Sequence, residues 1–329
     1  MLMTTTGTFQ DVIEARIRAI FERSNQEQSS ELYYGELGLV DYEPDVPNEQ
    51  MNDISGPDRG KLTVEGQEYG ANGKYRGYPV TLTLRKYTFV LSWTEEDVHW
   101  IQKQSSSKRK TELRNSAIGA VNALQQNINE DTAKVFYLGF GTTFLNVGNS
   151  EALFGSHTIR NGGGSQLNTF ASGGTHLALS SGAIDSAIAI MNRFQGHNAI
   201  QLKRVKTLKL LVAAELISTA NQIVYSMYGP LNANLGEAKT APTALSRRGI
   251  TVNAVEVPDF PAAYSTYWFL ADADRASTRA FMAWGWKPRM GRDDLTSKGT
   301  LRLVGSTLFG PFVLGWQWAF GSKGDGSNI

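Results

Sequence analysis

A helical signal that runs unbroken from Ser105 to Val135 constrains this chain more than any other stretch. Apolar residues recur at Leu113, Ala117, Val121, Leu124, Ile128 and Val135, with Ala120 beside them, the three-and-four spacing of one helix face. Ser105, Ser106 and Ser107 offer N-cap oxygens, and Gly139 follows the end. At about 1.5 Å per residue the rod exceeds roughly 40 Å, the width of a small domain, so it is not enclosed on all sides. Its stripe carries alanine where a bundle would carry leucine, which predicts a flat partner, a sheet, lying close against it.

The composition allows a large packed structure, since 329 residues at 41% apolar content suffice for one large domain or two ordinary ones. No run nears the roughly eighteen apolar residues of a membrane span, and no basic patch precedes an apolar core at the N-terminus, so cytoplasmic synthesis is the expectation. Cysteine is absent, which removes disulfides, thiolate nucleophiles and cysteine zinc sites together. Charge is segmental: residues 1–57 carry eleven acids against three arginines, net −8, residues 58–93 are net +3, and the remainder is net +6. An acidic arm on a mildly basic body suits contact between subunits, or between arm and body; an acidic solvated leader fits the same composition.

Residues 8–23 read as an amphipathic helix with Thr8 as N-cap and Phe9, Val12, Ile13, Ile17, Ile20 and Phe21 on one side. The following residues are polar and hold Pro44 and Pro47, so the stripe is expected to dock at a distance, on another chain if need be. Lys61–Glu65 and Val80–Leu84 alternate like strands around Gly66, Gly70, Gly73 and Gly77, a long hairpin with a flexible tip. Lys86–Trp93 continues as a strand with Tyr87, Phe89 and Leu91 on one face, and Glu95, Glu96 and Asp97 open a short helix. A loop-rich region spans 142–174; Ser181 is expected to cap a helix carrying Ile184, Ile188 and Met191. Thr207–Val212 reads as a buried strand passing into a helix at Ala213–Tyr225, followed by a surface loop over 226–248. Further strands are expected at Ile250–Val257, Thr266–Ala271, Gly299–Leu308 and Phe312–Phe320, with a loose tail from Gly321.

Little of this points to catalysis. Asn161-Gly-Gly-Gly-Ser165 lacks the Gly-Lys-Ser/Thr ending of a P-loop and has no strand leading into it. His99, His157, His176 and His197 are scattered without metal-ligand spacing and read as surface or packing histidines. No Gly-x-Ser-x-Gly elbow is present. Asp272 and Asp274, after a strand end, read as caps before they read as paired catalytic carboxylates. Lys108-Arg109-Lys110, Lys203-Arg204 with Lys206 and Lys209, and Arg247-Arg248 lack interleaved aromatics and read as solvated faces. Trp284 and Trp286 lie in a turn-rich piece, while Trp316 and Trp318 alternate on a strand, as anchors of cores and interfaces do.

Taken in order, these parts resemble the major capsid proteins of tailed bacteriophages with the Hong Kong 97-type fold. Ala152–His157 looks like the family's Leu-Phe-Ser-x-x-His element, and Leu179–Ile184 like the Leu-Ser start of its axial-domain helix. Leu208–Leu216 is similar to a strand-then-helix pattern in which Val-Pro-Pro-x-Leu is usual; Ala213 and Ala214 stand in place of the prolines. Thr266–Asp272 resembles the aromatic strand ending in Ala-Asp.

The resemblance implies an α+β fold divided into an N-terminal arm (1–57), an extended β-hairpin loop (58–93), a peripheral domain with the spine helix (94–150), an axial α/β domain (151–260), and closing strands with a loose tail (261–329). It implies a structural protein of the virion capsid, made in the host cytoplasm, that assembles into pentamers and hexamers around double-stranded DNA held by non-specific contact. Portal, scaffolding and decoration proteins are the further partners it suggests, with no membrane and no cofactor; residues 1–57 are too few for a fused scaffold. An encapsulin-type compartment enclosing a cargo protein shares the fold, and an α/β enzyme is the alternative of a different class. Contact between subunits is assigned to Phe9, Ile13, Ile17, Ile20 and Phe21 on the arm, Lys61, Lys74 and Arg76 on the hairpin, and Lys108, Arg109 and Lys110 at the spine start. Deleting residues 1–25 should then leave soluble capsomers that do not close.

Overall fold

The computed structural model describes residues 6–28, 32–57, 74–103, 106–160, 164–170, 176–228, 249–292 and 301–326. Helix α3 (Ser106–Tyr137) is the predicted rod, 32 residues long. Leu113, Ala117, Ala120, Val121, Leu124, Ile128 and Val135 are all buried, as their spacing requires. The rod joins two cores. Its first half packs with Trp93, Ile101, Leu301 and Leu303, whereas Ile128, Ala133, Val135 and Phe136 belong to the larger core around Trp268, Phe269 and Trp318.

The small side chains of α3 admit a helix as well as a sheet. Helix α1 (Thr6–Glu27) packs along α3, and its Ile13, Ile17 and Phe21 are buried among Leu113, Ala117, Ala120, Val121 and Leu124. The described part of the apolar stripe, from Ile13 to Phe21, was expected to seek a distant or foreign partner and is instead covered at home. On the sheet side lie strands β1 (Val40–Tyr42), β4 (Arg85–Trp93), β10 (Ala280–Arg292) and β11 (Leu301–Val313), in the order β1-β10-β11-β4. β1 joins β10 in parallel and the other pairs are antiparallel. Opposite Phe89 of β4 stands Gly305, where an added Cβ would fall 1.8 Å from the phenyl ring, so the ring needs a glycine across the ladder.

Trp284 and Trp286, expected in a turn-rich piece, sit inside β10. Gly285 and Pro288, both turn signals, fall at the two register shifts of the β10–β11 ladder, between Trp284 and Trp286 and between Trp286 and Arg289. Bulges absorb residues that would otherwise end a strand. β11 likewise runs through Gly310-Pro311, where a break was expected. Its ladder with β4 ends at Phe309, before the proline, which has no N–H to give. Strand β12 (Ala319–Ser322) then begins after a turn, so Gly321 and Ser322 are buried strand residues and not the start of a loose tail.

A second sheet has the order β12-β9-β7-β8, built from β7 (Thr207–Val212), β8 (Thr251–Glu256) and β9 (Trp268–Asp272) besides β12. Every residue of β9 is buried. Helix α4 (Ser181–Met191) packs by Ala183, Ile184, Ala187, Ile188 and Met191; its N-cap is Ser180, one residue before the expected Ser181, and its hydroxyl accepts from the Ala183 N–H. After β7 a 3-10 turn at Ala214–Leu216 leads into α5 (Ile217–Tyr228). Ala213 holds φ −67° and ψ 162°, a φ that proline also adopts, so this backbone conformation is open to either residue.

The remaining elements are the ribbon β2 (Gln50–Pro57) and β3 (Lys74–Thr81), the short pair β5 (Ser156–Thr158) and β6 (Ser165–Leu167), and α2 (Glu95–Lys103). The hairpin exists, but Gln50–Pro57 is the strand that pairs with β3, and residues 82–84 lead from β3 into β4. Lys61–Glu65, Asn161-Gly-Gly and Arg247-Arg248 lie outside the described residues. Thr94 and Asp97 cap α2 reciprocally, through Thr94 N to Asp97 Oδ2 at 3.0 Å and Asp97 N to Thr94 Oγ1 at 3.1 Å.

Candidate assembly surfaces

Among the described residues, the proposed contact residues divide between core and surface. Ile13, Ile17 and Phe21 are buried within their own chain and Ile20 is half-buried on the rim of the same cluster. Arg76 and Lys108 are exposed. Lys61, and the side chains of Phe9, Lys74, Arg109 and Lys110, lie outside what the structure describes. What sequence reasoning missed is how the ribbon is fastened to the body. Arg160 Nη1 donates to the Gly77 carbonyl at 2.7 Å while its guanidinium stands 5.6 Å from the Tyr78 ring. Tyr78 meets the edge of His197 at 6.0 Å, and Arg279 pairs with Asp53 at 3.5 Å. A Cβ on Gly77 would come within 2.8 Å of the His197 ring, so this approach demands glycine. Burial, reinforced by Arg279 and Arg160 against the pull of Asp53, holds the His197 pKa below its ordinary value. Asp53 and Arg279 are 226 positions apart, and no periodicity could have linked them.

The four histidines fit the packing reading. His157, His176 and His197 are buried and His99 is exposed. His157 stacks on Trp316 at 4.5 Å, with Nδ1 3.2 Å from Glu151 Oε2 and Nε2 3.1 Å from Asn168 Oδ1. Asn168 Nδ2 donates to the Leu153 and Ala319 carbonyls at 2.7 and 3.1 Å, which fastens the 142–174 region to the end of the chain. Burial opposes ionisation of Glu151, but hydrogen bonds from His157 and Thr158 outweigh it and keep that carboxyl below its usual range.

Asp272 is the cap that was expected. Its Oδ1 accepts from the Asp274 and Arg275 N–H groups at 3.1 and 3.4 Å, opening the short helix Ala273–Ala276. Its Oδ2 receives Arg275 Nε at 3.1 Å. The rest of that buried guanidinium donates to the carbonyls of Met191, Gln317 and Lys203, drawing together α4, the turn before β12 and the segment before β7. Burial raises the Asp272 pKa and Arg275 opposes the rise. Replacing Arg275 by methionine is expected to cost about 3–5 kcal/mol, because a carboxylate and three carbonyls lose their donor together. Lysine is expected not to restore the loss, since an ammonium lacks the planar fork; urea denaturation of both variants measures it.

A half-buried cluster around the buried Asp131 fixes β4 to α3. Asp131 accepts from the Tyr87 hydroxyl at 2.6 Å, from Lys134 Nζ at 3.0 Å and from Arg85 Nη1 at 3.4 Å. Burial and the bond to Asp131 push the Tyr87 pKa up to about 12. A folded pKa above the ordinary value near 10 gives stability that is intact below about pH 10 and is lost as pH rises through about 12. Urea midpoints at about pH 9 and about pH 11.5 are therefore expected to separate further for the unaltered protein than for Tyr87→Phe.

Several apolar side chains stay outside. Val46 is 53% exposed, Trp100 63% and Tyr225 74%. Lys203, Arg204 and Lys206 are exposed and form no ion pair among the described residues, as a solvated basic face requires, whereas Lys209, expected with them, is half-buried and donates from Nζ to the Gly35 carbonyl at 3.1 Å. Among the described residues no group of His, Asp and Glu is placed to hold a metal, and no helix is long and apolar enough to cross a membrane.

No family model matches the chain, and no curated protein does. Solved structures match it over most of its length. The structure of Mycobacterium phage Patience is 13% identical, covering 94% of this chain and 88% of that one, with a TM-score of 0.49. The capsid of Myoviridae phage XM1 is 12% identical over 88% of this chain and 91% of that one, with a TM-score of 0.46. The capsid of the native GTA particle is 13% identical over 87% and 88%, with a TM-score of 0.45. Two of these three are capsids by name.

Proposed function

We propose that the chain is the major subunit of an icosahedral shell that assembles into pentamers and hexamers around double-stranded DNA. The observation that carries this reading is the spine. One helix of 32 residues strings together two separate cores, and a two-stranded ribbon is pinned to the body at its base by Asp53, Gly77 and Tyr78. Such a frame spaces contacts over a long distance and leaves the ribbon free to reach a neighbour, which suits a tile. A two-stranded ribbon is marginal alone and gains from a neighbouring surface. The acidic segment after α1 remains the part of the arm suited to a basic surface of another copy, since Ile13, Ile17 and Phe21 are already occupied within their own chain.

The divisions into arm (1–57), extended loop (58–93), peripheral (94–150) and axial (151–260) parts belong to this proposal, with the closing strands returning through both cores. So do host cytoplasmic synthesis, non-specific contact with DNA, and portal, scaffolding or decoration partners. Electron microscopy of the purified protein, together with nuclease protection of its contents, tests the reading. Closed particles holding nuclease-resistant DNA are expected when the protein is recovered from its natural particle. Particles filled with a second protein would transfer the chain to the compartment class, and a stable monomer at high concentration would remove the shell reading.

A further inference from the structure

A cleft of about 510 Å³ opens between α1 and α3, lined by Arg16, Ala19, Ile20, Leu113 and Arg114. Its floor is apolar, with Leu113 buried and Ile20 half-buried. Its rim carries two guanidinium groups, Arg16 and Arg114, both exposed and neither in an ion pair among the described residues. The turn between β1 and β2 has the complementary character. Val46 projects from it, flanked by Glu43 and Asp45, whose exposed carboxylates form no ion pair among the described residues. The turn is also pre-ordered. Glu49 Oε2 accepts from the Tyr42 hydroxyl at 2.8 Å and from the Asp45 N–H at 3.3 Å, and Pro44 and Pro47 fix two backbone angles. A rigid protrusion loses little entropy when it docks.

Cleft and turn stand at different places on one subunit. β1 pairs with β10 at Phe281, Met282 and Ala283, whereas Met290 packs against the cluster that holds α1. The strand between Ala283 and Met290, which holds two bulges, spans at most about 24 Å at about 3.4 Å per residue. We propose that the turn 43–49 of one copy seats Val46 in the α1/α3 cleft of a second copy, with Glu43 and Asp45 set against Arg16 and Arg114. The apolar anchor supplies most of the affinity, while the rim charges select the partner and fix the register. A knob and a socket at different places on the same chain make a heterologous contact, which closes into a ring when the rotation fits. The inference rests on the shell-subunit reading and deepens it by naming how neighbours join.

The absence of cysteine makes the test direct. Val46→Cys together with Ala19→Cys in one chain, oxidised after assembly, is expected to give a ladder of disulfide-linked multimers on a non-reducing gel. Each single variant is expected to run as monomer, and a mixture of the two single variants as monomer and dimer. In parallel, Arg16→Glu with Arg114→Glu is expected to lower particle yield at least about tenfold, and adding Glu43→Lys and Asp45→Lys to the same chain to restore most of it. Circular dichroism checks the folding of each variant, with Arg16→Gln and Arg114→Gln as the milder pair. Particles of the double-cysteine protein that yield only monomer, or a charge swap without effect, overturn the contact and leave the shell reading standing. If the unaltered protein forms no particles, the shell reading fails, and the ladder in concentrated solution still decides the contact by its presence or absence.

Discussion

Removing residues 1–25 is expected to collapse the core around the first half of the spine helix, with an insoluble or non-cooperatively melting product, and not to yield soluble capsomers that merely fail to close. Ile13, Ile17 and Phe21 are buried against α3, and the deletion would expose Leu113, Ala117, Val121 and Leu124 in exchange. Burying one such large side chain is worth about 1.5–3 kcal/mol. Three of them together rival the roughly 5–15 kcal/mol that holds a whole domain folded. Phe21→Ala isolates the effect and is expected to cost about 3–5 kcal/mol, since the ring fills a site shared with Phe89 at 6.1 Å. Urea denaturation of the point variant and sedimentation of the truncated protein measure the two outcomes. Soluble truncated capsomers with an unchanged melting transition would mean that α1 docks on another chain after all.

Ala117→Asp is expected to be comparably severe. Ala117 is fully buried in a cluster bounded by α1 on one side and by Leu301 and Leu303 of β11 on another. A carboxylate placed there meets no cation in the cluster, and an unpaired buried charge costs several kcal/mol even after relaxation. Folding and assembly should fail together, giving inclusion bodies at expression and no particles by electron microscopy. Ala117→Gly serves as the control, with an expected loss of only about 1 kcal/mol from helix propensity. Normal assembly of the aspartate variant would show that the assigned inner face of α3 points to solvent.

Where one residue's chemistry dictates local geometry, the sequence could be read directly. The register of α3 followed from apolar spacing, β7 from a leucine-rich run before a helix, and the Asp272 cap from an acid at a strand end. Misreadings arose where one local signal serves two structures. Gly285 and Pro288 mark turns in most contexts, yet here they sit in bulges of a 13-residue strand, because a bulge tolerates a missing side chain and a missing N–H as well as a turn does. Gly321 and Ser322 belong to a small, polar tail by composition but pair with Trp268 and Phe269 of β9. The ribbon pairs β3 with Gln50–Pro57, a segment with no clean alternation, so no local pattern marks it as the partner strand.

Local spacing was enough to show which faces are apolar and that one rod is too long for a single core, while helix starts shifted by a few residues at α1, α4 and α5. Those properties depend on neighbours within a few positions. What covers each face is set by the folded chain: α1 closes over α3 at home, Asp53 meets Arg279 at the ribbon base, and Arg275 gathers carbonyls from three segments. Apolar burial is non-directional, so a stripe states that it must be covered and not by what. The partner is chosen by chain path and shape, which no local spacing encodes.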